Sequence, residues 1–478
     1  MTFLTCKKLL LAAGLITLWS VAAAEQELPI LKSTLPVVSI REGDVLRKDY
    51  WTLSPETKPD VFEAWVPESG SIRVTFITDV DSLGFTVQVG DQYDFLIVHG
   101  QDRCFTRLVG KAATPMAVFD ADYRAAHQGQ ITVEVPEAYE LVNIAIAMTA
   151  TGIEDRNLVY HDSDYYAEMR QQFDPYQRHP ALAALDSVLK RAPGLYSNLK
   201  MNGYAFEFDS NSRLVQSKIY DRTAFSGERR NSLRPYVPAL QSFADTSGFR
   251  AFYAAHRPFY ASQIAFYSDS TDVVGMQTWL NRNFPGAKPY DSYKIIFSPL
   301  VAYNQSATWI ESNGFRELQA HVNFPYLQDV KRRTKAPLSK ETVILLRGDI
   351  AFTELNHGYI NPEADKYAER VLHATSARDL WVDPQKGPNY YPGISAFNEY
   401  MNWGLVSLRA VDFAPPAEQD TLIAGVDRMM TNRRGFPQFT AFDSVLVDLY
   451  RTRPAGGTIA DLYPRIIDWF EQRNALAK

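Results

Sequence analysis

Glu354 and His357 stand three residues apart in the stretch Asp349-Ile-Ala-Phe-Thr-Glu-Leu-Asn-His-Gly-Tyr-Ile-Asn-Pro362. On a helix that spacing puts both on one face. A Glu and a His so placed can ligate one metal ion, as the Glu-x-x-His pairs of carboxylate-bridged metal bundles do. Gly358 and Asn361-Pro362 predict a helix end just beyond, which would leave His357 near a C-terminus that faces a cleft. A solvated helix face with no metal is the simpler account of the spacing alone, because a single E-x-x-H is common. A second carboxylate changes the balance. Glu399 follows a Pro/Gly-rich loop at 387–393 and is flanked by Phe397, Tyr400, Met401 and Trp403. If buried in that company it needs a partner: a metal, a histidine, or an arginine such as Arg409 or Arg347.

Together the 354–362 and 397–403 stretches resemble the gluzincin plan of metallopeptidases, in which one helix bears H-E-x-x-H and a following helix supplies a third ligand, a Glu. The chain also looks like a family of bacterial secreted proteins described as a domain of unknown function with peptidase ancestry. Thr-Glu-Leu-Asn-His-Gly-Tyr-Ile-Asn-Pro and Phe-Asn-Glu-Tyr-Met-Asn-Trp are similar to its signatures, and the resemblance covers residues 160–415. Val74-Thr-Phe-Ile-Thr-Asp-Val-Asp81 and Tyr93-Asp-Phe-Leu96 resemble an accessory module at the front of such proteins. The resemblance implies zinc, with His357, Glu399 and Glu354 as its candidate ligands and Glu354 as the candidate catalytic base. It departs from the plan at Thr353, which stands where the first zinc histidine belongs. Three accounts stay open. Glu354 is the base, and zinc is held by His357, Glu399 and an unidentified ligand. Alternatively Glu354 ligates with them and another carboxylate is the base. In the third, the metal is gone and the scaffold binds without catalysis.

In an active site the ion would lower the pKa of a bound water and polarise the scissile carbonyl. Glu354 would accept the water proton and pass it to the leaving amine. Tyr390 and Tyr391, just before the Glu399 segment, are the nearest phenols for an oxyanion and could equally be packing residues. An edge strand lining the cleft would pair with an extended peptide or protein substrate, with 293–301 or 315–323 as candidates. His321, in a strand-like run, is a remote ligand candidate and more simply a satisfied core histidine. The expected function is a secreted or periplasmic zincin-like metallohydrolase, a peptidase foremost. The alternative is a non-catalytic envelope binding protein on a degenerate zincin scaffold. A carbohydrate-active enzyme using Glu354 and Glu399 as its carboxylate pair is a third class.

The elements that must position these residues come in two textures. From 37 to 135, short runs rich in Val, Ile, Thr and Phe (71–76, 84–89, 93–99) alternate with turn signals. They predict a small antiparallel sandwich or barrel. From 162 onward apolar residues fall mainly at helical spacing, over 164–172, 181–191, 242–256, 272–283, 349–360, 363–374, 395–411 and 459–476. Strands are expected at 293–301, 315–323 and 342–346. The predicted fold class is α+β multidomain: a β module over 30–150, then a mainly helical zincin-like domain with a small sheet over 160–478, with the boundary inside 136–165.

Residues 1–24 read as a cleavable signal peptide. Lys7 and Lys8 precede an apolar run, and Ala22-Ala23-Ala24 offers small residues for cleavage before Glu25. That places the mature protein in the periplasm or outside the cell. No later segment has 18 apolar residues in a row, so no membrane span is expected after cleavage. The net charge of −6 disfavours a nucleic-acid partner. Cys6 leaves with the leader and Cys104 is then alone, which excludes a disulfide scaffold and any zinc site built on several cysteines.

Overall fold

The computed structural model describes residues 28–35, 38–43, 45–48, 60–66, 70–224, 230–326, 337–387 and 393–476. The leader at 1–24, and Tyr390 and Tyr391, lie outside them. The chain is mixed α/β, 52% helical and 20% strand. Its N-terminal module is a pair of four-stranded sheets. In one, Val45–Lys48, Ser39–Glu42, Ile72–Ile77 and Ser82–Val87 follow in that order, all antiparallel. The other runs Ile30–Ser33, Gln92–His99, Asp102–Ala112, Asp60–Val66, with both outer strands parallel to their neighbours. The expected antiparallel module is therefore partly parallel. The sheets meet through Phe62, Phe76 and Phe95, with Phe76 at 5.8 Å from Phe62 and 4.7 Å from Phe95. Cys104 is buried in this core.

The module stops well before residue 150. Ile131–Glu134 pairs in parallel with Ser292–Ser298, in a sheet ordered Ser306–Ser312, Phe315–Asn323, Ser292–Ser298, Ile131–Glu134. One sheet therefore joins strands from either side of the expected boundary. Ala117 and Phe119 already belong to the larger core. The sequence texture misled because the helix Glu137–Ala147 is buried on every side from Ala138 to Ala147. A helix buried all round, its Glu140 and Asn143 included, has no wet face to set an amphipathic period.

Glu140 is the fully buried acid of that helix. Tyr165 donates to it at 2.7 Å and contacts Tyr260 Oη at 2.7 Å. Burial pushes its carboxyl up to about 7, against the hydrogen bonds from Tyr165 and Ser298. The fold thus retains a proton that the unfolded chain releases near 4.5. Its contribution to stability is complete below that value and is lost as pH rises through about 7. Glu140→Gln should flatten the fall in stability between mildly acidic and mildly alkaline pH by on the order of 1–3 kcal/mol, read by urea unfolding at both ends. An unchanged slope would show that another group governs it.

A long helix, Lys340–Asp365, carries Glu354 and His357 and packs against Ile394–Phe413, which carries Glu399. The expected strand at 342–346 is its first turns. Thr342, Val343 and Ile344 favour a strand locally. The Ser339 side chain caps the helix by accepting from Thr342 N, and Leu345 and Leu346 pack on Ala410, Ala414 and Leu422. The expected stop at Gly358 and Pro362 is also overturned, since the helix runs to Asp365. Gly358 is there for close approach: a Cβ would lie 2.8 Å from Tyr290 Oη and 3.1 Å from Leu318 of the sheet. Pro362 has no N–H to give the Gly358 carbonyl four residues back. Tyr290 Oη donates to that carbonyl instead, at 2.9 Å.

Tyr290→Phe should therefore cost about 1–3 kcal/mol, the penalty of a buried carbonyl left unpaired. Urea unfolding measures it, and a neutral substitution would mean the carbonyl finds another donor. Elsewhere the expected helix at 242–256 divides at Gly248 (φ 69°) into Val237–Ser247 and Phe249–Ser270. Among the described residues no helix is long and apolar enough to cross a membrane.

Candidate functional site

The Lys340–Asp365 helix lies against Phe315–Asn323 and Ser306–Ser312 on one side and the Glu399 helix on the other. Glu354 and His357 are half-buried, whereas Thr353 and Glu399 are buried. His357 Nε2 is 3.6 Å from Glu399 Oε1. The two helices therefore bring together His357 and Glu399, two of the three residues expected to converge with Glu354. The other oxygen of Glu399 accepts from Arg434 Nη2 at 2.9 Å. Arg434 also lies 5.3 Å from the Trp403 ring centroid.

The arginine partner of Glu399 is thus neither Arg409 nor Arg347. Arg409 packs over Phe352 at 4.8 Å and faces Asp272 at 3.6 Å, and Arg347 packs over Phe266 at 4.9 Å. Arg434 ends a π-helical turn, Met429–Arg434, closed by Gly435 at φ 79°. A side chain at Gly435 would be strained and would meet Lys386 Cβ at 2.6 Å. That tight turn delivers Arg434 to a helix 35 residues earlier in the chain. No local pattern in the sequence marked it.

Two amides complete the surroundings of His357. Asn402 Nδ2 is 2.9 Å from Nε2, and Asn361 Oδ1 is 3.2 Å from Nδ1. With the amides oriented so, Nε2 accepts and Nδ1 carries the proton. Among the described residues, Asn402 Oδ1 is buried without a hydrogen-bond partner. Asn356 Nδ2 donates to Asn402 O at 3.1 Å and ties the helices together beside the site.

Burial pushes the Glu354 carboxyl up to about 7. His357, Lys200 and Arg434 pull the other way, and the charge of Glu399 raises it further. Lys200 is a second residue that sequence reasoning missed. It is fully buried, donates to Asn304 O at 2.6 Å, and is pushed down to about 7 by burial, opposed by Glu354. His321 lies in the sheet interior with Nε2 3.2 Å from Gln319 Oε1. Burial, aided by Lys200, holds its pKa well below the ordinary histidine value.

Zinc requires a free imidazole lone pair and open carboxylate oxygens. Here Asn402 covers His357 Nε2, Arg434 takes one oxygen of Glu399, and the Thr353 hydroxyl donates to Ile350 O at 2.8 Å. Among the described residues no group of three His, Cys, Asp or Glu is placed to hold an ion. The donor types suit zinc, but this arrangement does not fit it.

Both strands expected to line the cleft edge are interior. Ser292–Ser298 lies between Phe315–Asn323 and Ile131–Glu134, and Phe315–Asn323 lies between Ser306–Ser312 and Ser292–Ser298. The sheet edge beside the Glu354 helix is Ser306–Ser312, antiparallel to its neighbour. Comparison with known proteins finds no matching family model, no similar curated protein and no similar solved structure.

Proposed function

We propose that this chain is an exported binding protein on a zincin-like scaffold, holding an extended peptide in the cleft beside Glu354, His357 and Glu399 without a resident metal. One observation carries this reading. The positive charge facing Glu399 is a guanidinium of the chain itself, 2.9 Å away, opposite the His357 imidazole. Ser306–Ser312 is the outer strand of its sheet beside the Glu354 helix, the position at which an extended peptide adds as a further strand.

The experiment is equilibrium dialysis of the full chain against zinc at neutral pH, together with binding of a labelled peptide library. The expected result is no retained zinc, with saturable peptide binding weakened about tenfold or more by Arg434→Gln. Stoichiometric zinc, with zinc-dependent peptide cleavage abolished by Glu354→Gln, would overturn it. That outcome would install the second reading, a zinc metallohydrolase acting on peptides. The 3.6 Å approach of His357 to Glu399 and the raised Glu354 carboxyl favour that second reading.

A further inference from the structure

Three helices end around a separate concavity. Val273–Asn283 brings Arg282 and Asn283 to it, Ile394–Phe413 brings Asp412 and Phe413, and Phe439–Arg451 brings Arg451. The loop 453–458, turning at Gly456 (φ 80°), forms the remaining wall around a cavity of about 590 Å³. That volume falls in the usual range for small-molecule sites.

The wall carries three guanidinium groups against one carboxylate. Asp412 is already engaged through Oδ2, by Trp279 Nε1 at 2.7 Å, Tyr450 Oη at 2.6 Å and Arg282 at 3.2 Å. Helix C-termini attract cations to their carbonyls, and that accounts for Arg453. It donates to Tyr450 O and to Gly457 O, and sits 3.5 Å over the Tyr450 ring. Arg282 and Arg451 stand in the last turns of their own helices, where the same attraction acts, yet among the described residues neither hydrogen-bonds a helix carbonyl. Arg282 gives one bond to Asp412, and Arg451 one to Gln419 Oε1 at 3.3 Å. A guanidinium has five N–H donors, so most of theirs stay available to a ligand. Phe413, 42% exposed on the same wall, supplies a flat apolar face.

We propose that this cavity binds a sugar-sized anion bearing a phosphate or carboxylate group, its anionic oxygens held by Arg282 and Arg451 and its ring covered by Phe413. Calorimetric titration of the full chain with glucose 6-phosphate, glucuronate and neutral glucose tests this. At least one anionic probe should saturate, glucose should bind about tenfold more weakly or not at all, and added salt should weaken the binding. A phosphate-only or a carboxylate-only response identifies the group, and either supports the site.

Among the described residues Arg451→Gln removes one hydrogen bond, to Gln419, and a last-turn charge, so it should weaken the bound probe about tenfold with the unfolding constant changed by less than about fivefold. Phe413→Ala should weaken glucose 6-phosphate while leaving inorganic phosphate unaffected. Absence of saturation by either anion at about 10 mM, equal binding of glucose, or full binding by Arg282→Gln/Arg451→Gln would overturn the proposal.

Discussion

Thr353→His is expected to raise the zinc affinity of this chain. Position 353 lies four residues before His357 on one continuous helix, so an imidazole there shares its face. With His357 and Glu399 already 3.6 Å apart, a third ligand would complete the minimum set of a catalytic zinc site. Zinc affinity should tighten by at least about a hundredfold, some 2.7 kcal/mol, read by competition with a chromophoric chelator. Thr353 is only 2% exposed, so the larger side chain should cost about 1–3 kcal/mol in metal-free protein. Zinc should return that loss as a rise in melting temperature. Adding Arg434→Ala should tighten zinc further, because it releases an oxygen of Glu399. If the variant holds no more zinc than the natural chain, the likeness to a zincin is accidental.

Removing the Arg434 guanidinium should be the most damaging single truncation in the cleft. Glu399 keeps only 11% of its side chain exposed and would lose its 2.9 Å cationic partner. Breaking a fully buried pair costs about 3–5 kcal/mol. The Arg434 side chain is 31% exposed, so solvent recovers part of that. About 1–3 kcal/mol is therefore expected for Arg434→Ala. In a Glu399→Gln background the same substitution should cost much less, because the charge it strands is gone. The double-mutant cycle isolates this coupling, expected at roughly 1–2 kcal/mol. A loss that is the same in both backgrounds would mean Arg434 acts through packing on Trp403 and not through Glu399.

The near-site geometry was legible because its causes are local. Helical periodicity alone placed Glu354 and His357 on one face, and a carboxylate set among Phe397, Tyr400 and Trp403 announced the need for a partner. The helices 181–191 and 272–283 were equally readable, since each has one face in the core and a regular period, and the strand 315–323 showed as a short run between turn signals.

What met those residues was not legible. The cation on Glu399 comes from Arg434, carried by a turn whose position depends on Gly435 and on its packing against Lys386. The helix passes through Gly358 and Pro362 because Tyr290, just before the strand Ser292–Ser298, fills the hydrogen bond that proline withholds. The module boundary moved because Ile131–Glu134 pairs with a strand some 160 residues later. Sequence by itself determined which side chains share a face and which would be costly to bury alone. Only the tertiary structure decided what they meet, because long-range partners are selected by three-dimensional packing and leave no period in the chain.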